Sequence, residues 1–537
     1  MNRIVIKNGT IVDGTGAAPC RGDVVIRGEE IEAIGSDVSL SPDTPRIDVP
    51  GCIVCPGFID THSHSDFSLL VNPDAESALY QGVTTEVIGN CGLSIFPIAG
   101  RTKNLLQSYI MGLGYDSSFT IDWTDLAGYA AAFDQSGIGI NVVPLAGHGS
   151  IRIAVMGFGA REANSQELAA MKIHLETALD QGAWGLSSGL VYPPGINSPP
   201  HELEVLCEMV ADRGALYTTH LRGDTLRSGV TFIESLAEAL SVARRTGVRL
   251  HVSHASPKFP NTGSVHSVIK MMQALRDEGF HVTCDAHPYL AAMTFLASLL
   301  PPWAFEGGIR ETVRRFNDPR KRKQVIEAVK ATFEHLDPSD FWPRNEVILP
   351  DPQSEFNHCR MHIISQKMEL QPAEALIEIL AQCGQRLFEA IVLQWIYSAE
   401  ETQELFHWPY TTVGADGATS SLAYDLGPLT IHPRSWGTFP KIFNDYHKKG
   451  KQFSIEEIIR RMTGLAAAVV GLNDRGTIQP KKKADVIVFN PKKFTDTATY
   501  ADPHRYAQGM EFVWVNGRMV VERGKRTGRR PGKVIKR

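Results

Sequence analysis

The chain has 537 residues, enough for one large domain and a smaller one. Hydrophobic residues make up 43% and charged residues 21%, an ordinary globular balance that excludes a disordered or fibrous chain. Lysines and arginines number 54 against 59 aspartates and glutamates, so the formal charge is −5 and nothing global points to nucleic acid as a partner.

Met1-Asn2-Arg3 leads straight into Ile4-Val5-Ile6, without the basic start, apolar core and cleavage site of a signal peptide. No window approaches the ~18 uninterrupted apolar residues of a membrane helix. The expected setting is the cytoplasm, with no membrane partner. The first elements read as short strands. Residues 3–6 and 10–12 flank the turn Lys7-Asn8-Gly9, and residues 23–26 and 31–34 flank a turn around Gly28, which is hairpin chemistry. The eight cysteines are scattered, as suits reduced thiols. Cys52 and Cys55 form a C-x-x-C at the entry to an apolar strand. Without a second such pair they read as structural thiols rather than as a redox or zinc motif.

The middle of the chain alternates strands and helices. Eight apolar strands end in polar or small residues: one running into His62 and His64, then residues 84–91, 141–148, 184–188, 216–220, 248–254, 281–285 and 411–416. Helical stretches such as 165–181, 200–213, 230–246 and 265–278 lie between most of them. Eight such units predict an α/β fold, a (β/α)8 TIM barrel, with its chemistry at the carboxyl ends of the strands. The interval from about 290 to 405 is too long for a loop and reads as a helical insertion with a lid over the barrel mouth. Residues 484–489, 512–515 and 519–521 return to strand character, the last two joined by Asn516-Gly517. The basic tail from Arg523 to Arg537 reads as a solvated terminus.

The polar residues at the strand ends carry the chemistry. His62 and His64 are spaced i, i+2, so a strand aims both side chains to one side, as a shared metal ion requires. Alone, the pair could equally be surface histidines. His220 and His254 end two consecutive barrel strands, where they face that pair across the mouth. A single histidine there is usually structural; four together read as ligands, and neutral imidazole suits zinc. Cys91 alone reads as a small buried thiol, the common fate of free cysteine.

Pro56-Gly57-Phe58-Ile59-Asp60-Thr61-His62-Ser63-His64 resembles the first metal motif of the amidohydrolase superfamily. Gly89-Asn90-Cys91-Gly92 is similar to a motif of its D-aminoacylase (N-acyl-D-amino-acid deacylase) branch. Gly147-His148-Gly149 with Arg152, Gly185 through Gly195 (G-L-S-S-G-L-V-Y-P-P-G), and His432-Pro433-Arg434 through Gly437-Thr438-Phe439-Pro440 resemble further motifs of that branch, in this order along nearly the whole chain. The resemblance implies a tight Zn2+ held by Cys91, His220 and His254, and a second, weaker site involving His62, His64 and Asp416. It implies that Asp416, after the eighth strand, is the catalytic carboxylate. Zinc lowers the pKa of bound water to about 7, and a carboxylate beside that water can take its proton and pass it to the leaving amine. It also implies that Tyr192 lines the substrate pocket. The two chain ends are expected to pair into a small β-sandwich domain, residues 1–55 plus 465–537, beside a barrel of residues 56–464.

The departures fall on the substrate. The branch carries S-H-H-K after the sixth strand; here the run is Ser253-His254-Ala255-Ser256-Pro257-Lys258, with the lysine further along. After the seventh strand, His287 stands before Pro288-Tyr289 where the branch has tyrosine, and Met293-Thr294 replaces a serine-threonine pair. The expected substrate-binding residues are therefore Tyr192, Lys258, His287, Tyr289, Met293, Arg222 and His148. The expected reaction is zinc-dependent hydrolysis of an amide, an N-acyl-D-amino acid or a related N-acyl amine. Two alternatives stay open: hydrolysis of another amide or cyclic amide, xenobiotic ones included, that lacks a free α-carboxylate, and a non-catalytic assembly protein on the same barrel. The expected partner is a small-molecule substrate; a homo-oligomer stays open.

Overall fold

The computed structural model describes residues 3–35, 41, 43–110, 120–225, 229–423 and 430–537. At its centre parallel strands follow one another around the site. Phe58–Asp60 pairs with Val83–Ile88, which pairs with Asn141–Pro144. The last of these continues past Leu145 as Ala146–Gly147, which pairs with Gly185–Gly189. Leu216–His220, Arg249–Val252, Val282–Ala286 and Thr411–Val413 follow in order, each parallel to its predecessor. The succession returns to its start: the Thr61 amide donates to the Val413 carbonyl, the Asp416 amide to that of His62, and Ser63 bridges Gly417. Val83–Ile88, Gly185–Gly189 and Leu216–His220 are buried along their whole length, as expected of strands covered on both faces.

The helices between the strands start where their sequences cap them. Asn164 accepts from the Gln166 and Glu167 amides ahead of Ser165–Asp180, and Thr231 forms a capping box with Glu234 ahead of Phe232–Thr246. No helix among the described residues is long and apolar enough to cross a membrane.

Both chain ends meet in one nine-stranded sheet among the described residues. Val486–Phe489 pairs with Ile53–Pro56, so the C-terminal strands attach directly to the strand that feeds the first motif. This sheet has its own core, including Ile6, Val24, Ile26, Val486 and Trp514. Cys52 is half-buried against this core, whereas Cys55 is buried in the main core, and both are free thiols.

Three expectations are corrected. Residues 3–12 form no hairpin: Arg3–Ile11 is one strand, all of it facing Cys20–Arg27. Asn8 adopts φ 62° and the register shifts between Ile6 and Gly9, so Lys7-Asn8-Gly9 is a bulge. The insertion is not purely helical. It contains an antiparallel sheet in the order Ala291–Phe295, Ile391–Trp395, Asn345–Ile348, Cys359–Arg360, whose short strands pair across long stretches of chain and leave little local signal. The basic tail is not a loose terminus. The Val142 amide donates to Lys533, Ile535 to Val142, Arg537 to Gly182, and the Trp184 indole to Ile535. Its backbone is strapped across the ring while the side chains of Lys533, Lys536 and Arg537 remain exposed.

Candidate metal centre

Every candidate ligand lies at the end of a strand of the ring or just past it. Asp60 fixes the first pair: its Oδ1 accepts from the His62 amide at 3.0 Å and the Ala415 amide at 2.9 Å, tying the first strand to the last. The His64 amide donates to Gly417 O at 2.8 Å. Cys91, His254 and Asp416 take positive φ, 53°, 33° and 53°, a region that costs a non-glycine residue roughly 1–3 kcal/mol. Three donors are thus turned out of ordinary strand geometry toward one point.

There they converge. Cys91 Sγ lies 3.2 Å from His62 Nε2, 3.6 Å from His220 Nδ1 and 3.8 Å from His254 Nε2. Asp416 Oδ1 lies 3.0 Å from His64 Nε2 and 3.4 Å from His62 Nε2. The donors form two groups sharing the thiol, His62–His64–Cys91–Asp416 and Cys91–His220–His254, each with its donor atoms within 4.8 Å of one another. A soft thiolate with imidazoles and one carboxylate is a donor set suited to zinc.

The electrostatics suit a cation. Burial opposes ionisation of Cys91, but the charge of His62 and hydrogen bonds from His220, His254 and His62 hold the thiol well below its usual range. Burial likewise opposes the charge on His62, and Asp285 and Cys91 outweigh it. Burial works against the Asp416 carboxylate too, yet Arg434, His64 and His62 keep it ionised well below the usual range. A metal ion would take the place of the protons that these imidazoles share with the thiolate.

Two residues not singled out from the sequence support this set. Arg434 Nη1 donates to Asp416 Oδ2 at 2.7 Å and its Nη2 to the Met293 carbonyl at 3.4 Å. Asp285 lies beneath the ligands. Its Oδ2 meets His62 Nδ1 at 3.2 Å and His251 Nε2 at 3.0 Å, and its Oδ1 accepts from the His254 amide at 2.8 Å. Arg434 stood inside a quoted motif and Asp285 at the end of the seventh predicted strand, but their partners are far away in sequence.

All the candidate ligands except the fully buried His62 stand on one wall of a cavity. Tyr192, Lys258 and Met293 stand on it as expected for substrate contacts, with Arg434, Gln394 and Tyr397, and with Leu93, Val191, Phe295 and Ile396 as apolar surface. The Tyr192 hydroxyl accepts from Thr294 at 3.1 Å. Lys258 Nζ sits 3.2 Å from both His254 Nδ1 and His254 O, and 5.1 Å from the Tyr397 ring centroid. The longer loop before Lys258 is held by a bridge to Tyr397, which brings the lysine back to the mouth.

The other four expected contacts do not line the cavity. Arg222 is committed to Glu238, at 3.0 and 2.9 Å, and to the carbonyls of Ile196 and Ser198. His148 is buried against Glu202 at 2.7 Å, beside Arg152. Tyr289 donates to Pro433 O at 3.1 Å. His287 lies behind the wall, its ring 4.9 Å from Tyr397, and burial with the charge of Arg434 pushes it down to about 3. Phe295 and Gln394 escaped sequence reasoning because they sit on the insertion's unforeseen sheet, and Ile396 and Tyr397 because they directly follow its strand Ile391–Trp395.

The profile described as "Amidohydrolase family" matches residues 46–521. An N-acyl-D-aspartate deacylase of Alcaligenes xylosoxydans xylosoxydans is 32% identical, covering 99% of this chain and 94% of that protein. A D-aminoacylase of the same organism is 30% identical, covering 99% and 97%. Among solved structures, the N-acyl-D-glutamate deacylase of Bordetella bronchiseptica superposes with a TM-score of 0.81 at 30% identity, covering 99% of each chain. That structure holds zinc and a phosphonate inhibitor described as a mimic of the tetrahedral intermediate.

Proposed function

The chain belongs to the amidohydrolase family and is a metal-dependent amidohydrolase; from that premise we propose that it hydrolyses the amide bond of an N-acyl-D-amino acid or a closely related N-acyl amine. The observation that carries this reading is the convergence of six donor residues, five of which, Asp416 among them, line a cavity that also presents Lys258 and Arg434.

The parallel strands and their closing bridge support a (β/α)8 barrel over residues 56–464. The shared sheet of the chain ends supports a separate small β domain, residues 1–55 and 465–537, and residues 290–405 serve as an insertion over the mouth. Cys91, His220 and His254 would hold a tight zinc, and His62, His64 and Asp416 a weaker second ion. Zinc bound there supplies Lewis acidity, which makes water nucleophilic near neutral pH and polarises an acyl carbonyl.

The chain's own groups do the rest. Asp416 Oδ1 faces the ligands while Oδ2 is pinned by Arg434, so the carboxylate is ionised and oriented. It takes the proton of the attacking water and delivers it to the leaving nitrogen, which departs as an amine only when protonated. Lys258 and Arg434 are the cations on the wall for an α-carboxylate. Leu93, Val191, Phe295 and Ile396 receive the acyl chain or an apolar side chain. The relatives' names supply the D configuration.

One observation favours a second reading, an amide without a free carboxylate. Arg434 already pairs with Asp416, and Lys258 already contacts His254. The two readings separate in kcat/KM for an N-acyl-D-amino acid against its primary amide. A charge-assisted contact is worth roughly 1.5–3 kcal/mol, so the free acid should be preferred at least about tenfold, and Lys258→Met should erase most of that preference. Equal turnover of acid and amide would establish the second reading instead.

A further inference from the structure

Asp285 touches both ligand groups without belonging to either. Its Oδ2 meets Nδ1 of His62, whose Nε2 faces Cys91 and Asp416. Its Oδ1 accepts from the backbone amide of His254, the ligand held at φ 33°. The same Oδ2 also meets His251 Nε2, and the far side of that ring, Nδ1, meets Thr283 Oγ1 at 2.8 Å. The carboxylate is fully buried. No side chain fits beside it: a Cβ at Gly414 would lie 2.6 Å from His62 Cβ and 2.8 Å from Asp285 Oδ1. The eighth strand therefore passes the pair as glycine on its way to Asp416.

We propose that Asp285 is a positioning residue that sets the tautomer of His62 with one oxygen and holds the strained backbone of His254 with the other, so that one carboxylate aligns both metal groups. A carboxylate only accepts, so Nδ1 of His62 keeps its proton and Nε2 presents a lone pair toward the shared centre. Through Oδ1 it retains the His254 amide in the conformation that aims that imidazole at Cys91. The two groups are built on opposite sides of the ring, and this carboxylate is hydrogen-bonded to a ligand of each. The inference rests on the reading that the two groups bind metal.

The two oxygens can be tested separately. In Asp285→Asn the amide oxygen can still accept from the His254 amide, but the NH2 group now faces His62 Nδ1 and His251 Nε2. His62 Nδ1 must then accept, which places the proton on Nε2 and opposes ligation. Asp285→Ala loses both functions. Titration with Co2+ alone, followed by the thiolate-to-cobalt charge-transfer band and by bound cobalt per chain, reads the outcome.

The expectation is that Asp285→Asn weakens the ion at His62, His64 and Asp416 by about 10- to 100-fold while the thiolate band persists, and that Asp285→Ala weakens both. Unchanged affinity in Asp285→Asn, or a band lost as fully there as in Asp285→Ala, would overturn the inference. Histidine-selective 15N spectra of the zinc-loaded wild-type protein decide the case even if a variant fails to fold. A protonated His62 Nδ1 supports the assignment, and an unprotonated one overturns it. A wild-type protein that bound no cobalt would overturn the metal reading itself, a result distinct from any of these.

Discussion

Cys91 shows how far a single residue can be read. Its thiol is the only donor shared by both ligand groups, and histidines from three separate elements surround it. Replacing it by alanine leaves a small residue in a well-packed ring, so the fold should survive. Cys91→Ala should lose most of its zinc, measured by plasma emission, together with most of its activity; stoichiometric zinc with unchanged turnover would remove the thiol from the centre. Asp416→Asn keeps the size of the side chain and its contact with Arg434 but removes the base. The expected loss in kcat is ~10²–10⁴-fold with KM far less affected, checked by steady-state kinetics on the metal-loaded variant. The spacing of the histidine pair alone left surface histidines open; the pair read as metal-binding only together with His220 and His254 further along the chain. Cys91 became legible only through the resemblance of its motif, since a buried thiol carries no pattern of its own. Arg434, inside a quoted motif, and Asp285, at the end of a predicted strand, were not assigned as ligands, because their contacts are hydrogen bonds to residues brought near only by closure of the ring.

Elements with local signals were predicted well, and those built by distant pairing were not. The helix Ser165–Asp180 declares itself by its cap and periodicity, and the structure ends it one residue short of the expectation. The insertion's strand Ala291–Phe295 reads as Ala-Ala-Met-Thr-Phe, whose alternation matters only once Ile391–Trp395 pairs with it. Arg222 and His148 drew attention as polar residues near strand ends, yet each is consumed by an ion pair that joins elements. The second of these pairs gives a pH prediction. Glu202, on Pro200–Asp212, joins His148 and Arg152 on His148–Met156. Burial opposes its charge, but His148 and Arg152 bring it down from 4.5 to about 2. A carboxyl depressed in the folded state contributes stability above its unfolded value and loses it as pH falls through the folded one. The melting temperature should therefore fall between about pH 4.5 and 2. Glu202→Gln should melt lower at neutral pH, since it strands Arg152, and should show a flatter acid limb. An acid limb as steep as that of the wild type would place the acid sensitivity elsewhere.

At the scale of the whole molecule, the ring collects candidate ligands from strands far apart in sequence, and the sheet of the two chain ends is hydrogen-bonded to the strand that enters the first motif. The C-terminal strap crosses the ring at Val142 and Gly182, away from the ligands. The alternation of strands and helices made this architecture legible, because each buried strand is a short apolar run with a polar end. The substrate was less legible, because the cavity is completed by an insertion whose sheet left no local trace and by a lysine returned to the mouth through a longer loop. The cavity is lined by residues of the ring's loops and of the insertion together. The proposed zinc-dependent hydrolysis of N-acyl-D-amino acids is tested most directly by mass-spectrometric assay of the zinc-loaded enzyme against paired D- and L-N-acyl amino acids and matched non-amino-acid amides. The account predicts release of the free D-amino acid, lost on chelation and restored by zinc, with the L enantiomer cleaved far more slowly. Cleavage that ignores chelation, or that favours the L enantiomer or the amides over every D-amino acid derivative, would contradict it.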